Sequence, residues 1–156
     1  MPSVKPIPDG YRNLTPYLIV ADGAGAMAFY IATFGAVERL RLVTPHGKIG
    51  HAELAIGDSV VMLADEHPPH DAWAPAHFGG SPVLLHLYVE DVDAVVSRAV
   101  AGGATVTRPV QDQFYGDRSG SFIDPFGHRW NVATHIEDVP QDEINRRAAS
   151  LHGQQP

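Results

Sequence analysis

Phe114-Tyr-Gly-Asp-Arg-Ser-Gly-Ser-Phe-Ile-Asp-Pro-Phe-Gly-His-Arg-Trp-Asn-Val-Ala-Thr-His135 is the stretch that decides the fold. Two short apolar runs, Ser121–Ile123 and Arg129–Ala133, flank Asp124-Pro125-Phe126-Gly127. Proline presets φ for the second place of a turn, aspartate bonds its own backbone, and glycine supplies a positive φ. The stretch therefore reads as a β-hairpin. It also closes a unit whose pattern already stands once upstream.

Working back toward the N-terminus, Asn13–Val20 reads as a strand, with Pro16 favouring an edge or a bulge. Asp22-Gly23-Ala24-Gly25 offers a helix start, Ala26–Phe34 carries apolar residues at helical spacing, and Gly35 suits the C-cap. Three strands follow, Val37–Thr44, Ile49–Ile56 and Ser59–Ala64, joined by turns at Pro45-His46-Gly47 and Gly57-Asp58. That is one β-α-β-β-β unit. After a Pro-, Gly- and His-rich connector the pattern restarts: strand Val83–Val89, helix Asp91–Ala101, glycines 102 and 103, then strands Thr105–Val110, Ser121–Ile123 and Arg129–Ala133. Gly35-Ala36 closes the first helix and Gly103-Ala104 the second, so the repeat lies in pattern more than in letters. Residues from Asp138 to Arg147 have proline and acids early and arginines late, which predicts a C-terminal helix.

The expected architecture is α+β. It has an N-terminal arm over residues 1–12, a first βαβββ module over 13–65, a connector over 66–82, a second module over 83–135, and a C-terminal helix and tail over 136–156. Together these are read as one structural domain, since 156 residues suffice to bury a real core. Hydrophobic residues at 44% and charged residues at 19% match a soluble globular protein. A net charge of −7 with no Lys/Arg cluster argues against nucleic acid and anionic membrane as partners. The absence of cysteine excludes disulfides, thiolate metal sites and cysteine nucleophiles. No apolar run approaches ~20 residues and the N-terminus lacks the apolar core of a signal peptide, so a cytoplasmic location is expected.

Phe29-Tyr30 in the first helix, Phe34-Gly35-Ala36 at its end and Asp124-Pro125-Phe126-Gly127-His128 in the last hairpin resemble the vicinal oxygen chelate superfamily of glyoxalases, bleomycin- and fosfomycin-resistance proteins and extradiol dioxygenases. The resemblance runs from Leu14 to His135. Within it, Thr15-Pro16-Tyr17-Leu18, His51-Ala52-Glu53-Leu54 and Tyr115-Gly116-Asp117-Arg118 with Trp130 look like the PhnB-like branch. That branch has carried a methyltransferase label, yet no Gly-rich nucleotide loop stands here to hold S-adenosylmethionine.

The resemblance implies that the two modules build a curved mixed sheet, helices outside and a ligand cup inside. Strand alternation then turns Thr15, Tyr17, Met62, His86, Tyr88 and Asn131 toward the cup, with Leu85, Leu87, Trp130 and Val132 on the helix side. Metal-dependent relatives take one ligand from each of four strands, and by position those slots fall on Thr15, Met62, Leu84 and Asn131. A two-residue shift of register would bring in Tyr17 and His86. Neither set offers the imidazoles and carboxylates a divalent ion wants, so no cofactor is expected. The alternative metal set is His51, Glu53 and His86. His86 is the candidate catalytic residue, as base or ligand contact, against an interior histidine bonded to Tyr17 or Asn131. Tyr115 is read as a stacking contact and Arg118 as a clamp for a carboxylate or phosphonate, against an ion pair that pins the loop.

His67, His70 and His77 in the connector are read as a solvated loop, and Trp73 and Phe78 as a cover over the cup or a contact to a second subunit. The function expected is binding of a small, partly aromatic or anionic molecule in a metal-free cup. The alternatives are a metal-dependent lyase, isomerase or dioxygenase of the glyoxalase type, and a metal-free enzyme using His86. Open module edges predict a homodimer, the arm and tail helix adding to the contact, because an unpaired strand edge is a liability that pairing removes.

Overall fold

A computed structural model describes residues 3–153; Met1, Pro2 and residues 154–156, at the ends of the expected arm and tail, lie outside the described residues. In chain order the elements are β1 (Tyr17–Val20), α1 (Gly23–Phe34), β2 (Val37–Val43), β3 (Ile49–Ile56), β4 (Ser59–Asp65), β5 (Leu84–Tyr88), α2 (Val92–Ala101), β6 (Thr105–Asp112), β7 (Asp117–Ile123), β8 (Arg129–His135) and α3 (Gln141–His152). Two βαβββ modules are therefore present, each with its own four-stranded mixed sheet, and a C-terminal helix is added. The chain divides into two compact units. The first runs through Pro82 and takes in Pro125–His128; the second comprises 83–124 and 129 onward.

Within each module the last strand returns to lie parallel to the first. The orders are β1-β4-β3-β2 and β5-β8-β7-β6, with β1–β4 and β5–β8 parallel and the remaining pairs antiparallel. Both helices start on an aspartate whose side chain accepts from the backbone N–H three residues on, Asp22 from Gly25 at 3.0 Å and Asp91 from Ala94 at 3.1 Å. Gly35 ends α1 at φ 67°, a left-handed conformation that suits glycine.

One face of each sheet packs on its helix. In the first unit Leu18, Val20, Leu54 and Leu63 meet Met27 and Tyr30 from α1, all buried. In the second, Phe122, Trp130 and Val132 share the core with Val92, Val95, Val96 and Ala99 from α2. Alternation then leaves every second residue of each strand on the opposite face. The strands β2 and β6 are exposed along almost their whole length, at one edge of each sheet.

Two strand starts and the connector differ most from the sequence reading. β1 begins at Tyr17, so Thr15 precedes the strand; the Pro16 carbonyl still accepts from the Met62 N–H at 2.9 Å. β7 begins at Asp117 and not at Ser121, because Asp117 pairs with His135 and Arg118 with Thr134, a register that composition does not reveal. The connector forms two short helical turns, Pro68–His70 and Pro75–Phe78, each with a proline at its start.

Asp65, at the end of β4, ties the first module together. Its carboxylate accepts from the Gly23 N–H at 2.8 Å and the Ile49 N–H at 2.7 Å, joining the start of α1 to β3 in a buried corner. Asp65→Ala strands both amides. Each stranded buried donor costs about 1–3 kcal/mol, so the variant should lose about 2–5 kcal/mol. A urea titration should show a lower midpoint with an unchanged slope.

Candidate functional site

The sheet faces turned away from the helices carry the chemistry. In the second module, His86 lies beside Asn131, and Asn131 beside Ser121, across β5, β8 and β7. Ser121 Oγ donates to Asn131 Oδ1 at 2.7 Å, and Asn131 Nδ2 donates to His86 Nδ1 at 2.9 Å. With Nδ1 occupied as an acceptor, Nε2 of the neutral ring carries the proton and faces outward as a donor. His86 thus presents a donor and is poorly set to accept a proton at that nitrogen. His86 is exposed and not interior, although Asn131, one of the two partners the sequence allowed for it, is bonded to it.

Tyr88 sits two residues along, its ring 4.8 Å from that of His86. Its hydroxyl donates to Asp117 Oδ2 at 2.8 Å. The other oxygen of Asp117 takes His135 Nδ1 at 2.7 Å, and His135 Nε2 reaches Asp138 at 2.8 Å. Asp117 is 4% exposed, whereas Tyr88 is 60% exposed, so a buried carboxylate anchors an open aromatic surface. The hydrogen bond to Asp117, then burial, raises the Tyr88 phenol. His135 is raised above its ordinary 6.5 by its hydrogen bonds to Asp117 first and Asp138 second. Together Tyr88, Tyr115, Asp117, His135, Asp138, Val139, Pro140 and Ile144 line an open cleft of about 530 Å³. Gly116, at φ 102°, lets the chain pass so close to Glu137 that a Cβ there would collide with its carbonyl oxygen.

In the first module Tyr17 lies beside Met62, and Met62 beside Glu53. Here too the polar groups form a chain. The Tyr17 hydroxyl meets His51 Nδ1 at 2.8 Å, His51 Nε2 meets Glu53 Oε2 at 2.8 Å, and the Tyr11 hydroxyl donates to Glu53 Oε1. Arg39 lies over the Tyr11 ring, 4.9 Å from its centroid. The hydrogen bonds from Tyr11 and His51 hold the Glu53 carboxyl below its usual range, although the residue is buried. Burial pushes the Tyr17 phenol up, with Glu53 adding to it.

The strand rows place Tyr17 with Met62 and His86 with Asn131; Thr15 and Leu84 are not the neighbours of Met62 and Asn131, Leu84 lying beside Arg129. Of these four only His86 offers a ligand suited to a divalent ion, and no carboxylate joins it. Of the alternative set, His51, Glu53 and His86, the first two have both ring nitrogens and both carboxylate oxygens engaged with each other and with tyrosines, and His86 has Nδ1 taken by Asn131. Among the described residues no group of three or more His, Asp or Glu side chains is arranged to hold a metal ion. The donor set does not fit the metal that some relatives of this fold carry.

Arg118 stands apart from the other candidates. As the second residue of β7 it faces α2, where it grips Asp93 with Nε and Nη2 at 2.8 and 3.0 Å, and Asp112 at 2.9 Å. Those carboxylates raise its already high pKa further. It is ion-paired, as the alternative expected, but it pins β7 to the helix through Asp93 and Asp112 and does not pin a loop. The residues that the sequence reading missed are Tyr11, Asp117, His135 and Asp138. His135 continues the alternation of Asn131 and Ala133, which was a legible signal; Asp117 needed the true start of β7.

The glyoxalase/bleomycin resistance protein/dioxygenase superfamily model matches residues 13–132. The Mycobacterium bovis protein Mb0911c is 44% identical over 140 residues, 88% of this chain and 92% of that protein. Among solved structures, TioX from Micromonospora sp. ML1 is 28% identical, with a TM-score of 0.62 over 80% of this chain and 99% of its own. The PhnB protein from Bacillus cereus shares the fold at a TM-score of 0.61, 79% of this chain and 99% of its own, with 18% identity.

The His135 clamp has a pH signature. Only the imidazolium donates to Asp117 and Asp138 at once, and its folded pKa lies above the unfolded one, so its stabilisation is complete below about pH 6.5. It fades as pH rises through the folded pKa. NMR titration of the His135 ring should give a value above 6.5, and Asp138→Asn should lower it. The stability gap between wild type and His135→Gln should be widest in acid and close on the alkaline side.

Proposed function

The chain belongs to the glyoxalase/bleomycin resistance protein/dioxygenase superfamily, and from that footing we propose that it is a PhnB-like binder of a small, partly aromatic or anionic molecule that works without a divalent metal. The observation that carries this reading is the second-module face. There an exposed tyrosine, braced by a buried carboxylate, stands beside a histidine whose outward nitrogen is a donor. Ligand sites are mostly apolar with a few placed polar groups, and Tyr88, Tyr115 and Ile144 with the outward N–H of His86 match that pattern. Tyr17 and Met62 supply the corresponding surface of the first module.

The same donor set speaks against the metal-dependent lyase or dioxygenase. The bond that Asn131 gives His86 speaks against His86 as a base. We read the protein as a homodimer, since β2 leaves Leu40, Leu42 and Val43 exposed along an unpaired edge. No helix among the described residues is long and apolar enough to cross a membrane.

The test is a fluorescence titration with 2-naphthol, together with metal analysis of protein purified without chelators. Saturable binding that EDTA leaves unchanged is expected. Tyr88→Ala should weaken it about tenfold, because a well-formed aromatic contact is worth about 0.5–1.5 kcal/mol beyond its buried area. Stoichiometric zinc, nickel, iron or manganese that disappears with His86→Ala would overturn the reading in favour of a metal enzyme.

A further inference from the structure

A second cleft, of about 580 Å³, opens within the first module, where the turn between β2 and β3 meets the connector that follows β4. That volume lies in the range of small-molecule sites. Part of its lining is apolar, from Ile19, Ala64, Ala72 and the ring of Tyr17. Four cationic or titratable donors also face it: His46 and Lys48 from the turn, His67 and His70 from the connector. Among the described residues none of these four side chains has a hydrogen-bond or ion-pair partner; His67 and His70 only meet edge to face, centroids 4.4 Å apart.

Of the two acids in the same lining, Asp65 is fully committed and Glu66 is engaged through one oxygen. Asp65 spends both oxygens on the Gly23 and Ile49 amides, and Glu66 accepts from the Ala74 N–H at 3.0 Å. Lys48, the one permanent cation of the lining, has neither of these carboxylates as a partner. What complements it is a group that brings only acceptor oxygens, and the apolar wall asks for a hydrocarbon or aromatic body behind that group.

We propose that this cleft binds an organic anion, a carboxylate or phosphate ester carried on a small apolar body, with Lys48 as the charged anchor and the imidazole N–H groups completing the cradle. Lysine acts on such oxygens as a point charge, and charge-assisted hydrogen bonds are about twice as strong as neutral ones. The chain as a whole is acidic, at −7, so the attraction is local and not a product of the overall field. No residue of the second-module cleft lines this one; Tyr17 is shared with the first-module surface proposed above, and the inference adds a separate anion site anchored on Lys48.

Calorimetric titration of the full chain at low ionic strength tests it, with benzoate, phenyl phosphate, inorganic phosphate and benzyl alcohol as probes. Benzoate and phenyl phosphate should each saturate at one per chain. Inorganic phosphate should bind at least tenfold more weakly, and benzyl alcohol should give no signal. Lys48→Gln should weaken both organic anions at least tenfold with an unchanged melting curve, since Lys48 is exposed and unpaired; His67→Gln should cost a few-fold. Lys5→Gln should leave the affinity as it was. Two results would overturn the proposal: no saturable binding of either organic anion, or equal affinity in Lys48→Gln. Because 2-naphthol reports on Tyr88 and these anions on Lys48, either site can fail while the other stands.

Discussion

The parallel pairing of the first and last strand in each module is the constraint on which the rest depends. A strand that returns parallel to its predecessor needs a long crossover, and α1 with β2 and β3, or α2 with β6 and β7, supplies it. That crossover covers one sheet face with a helix and leaves the other bare. It also sets Tyr17 beside Met62 and His86 beside Asn131, residues far apart in the chain. Shifting either pairing by one residue would turn every polar side chain on the bare face into the core.

The bare faces are held by hydrogen-bonded chains that end on buried carboxylates, Glu53 in one module and Asp117 in the other. A buried carboxylate is costly unless it is paired, and in each module a tyrosine and a histidine meet that need. The consequence is a pair of surfaces whose aromatic rings are exposed but whose polar ends are fixed. Such preorganisation lowers the ordering cost of binding. It also consumes the groups that a metal would have needed, so the chemistry of the faces and their rigidity have the same cause.

Much of the fold was legible because its signals are local. Asp22 and Asp91 as N-caps, Gly35 as a left-handed C-cap and the turn at Asp124–Gly127 each require only neighbouring residues. The sides on which His86, Tyr88, Trp130 and Asn131 fall also followed from alternation alone. The site was read less well. Arg118 was read as a clamp for an anion, against an ion pair that pins a loop, yet its partners Asp93 and Asp112 lie 25 and 6 residues away in sequence. Asp117, next to it, was passed over because the start of β7 decides which of two adjacent residues faces α2 and which faces the cleft. Tyr11 lay in a stretch read as an arm and joins the site only through Glu53, 42 positions on.

The sequence by itself determined the repeat, the order of helices and strands, and the residue types available for chemistry, since periodicity, caps and turns are short-range effects. The absence of cysteine and the sparseness of imidazole and carboxylate at the expected ligand positions were likewise readable without a structure. Only the tertiary structure decided which side chains are spent and which are free. Register across the strands commits Tyr17 to His51, Tyr88 to Asp117, Arg118 to Asp93, and Asp65 to two backbone amides. It leaves Lys48 and its neighbouring imidazoles unpaired, and that distinction depends on contacts between residues distant in the chain, which no local pattern encodes.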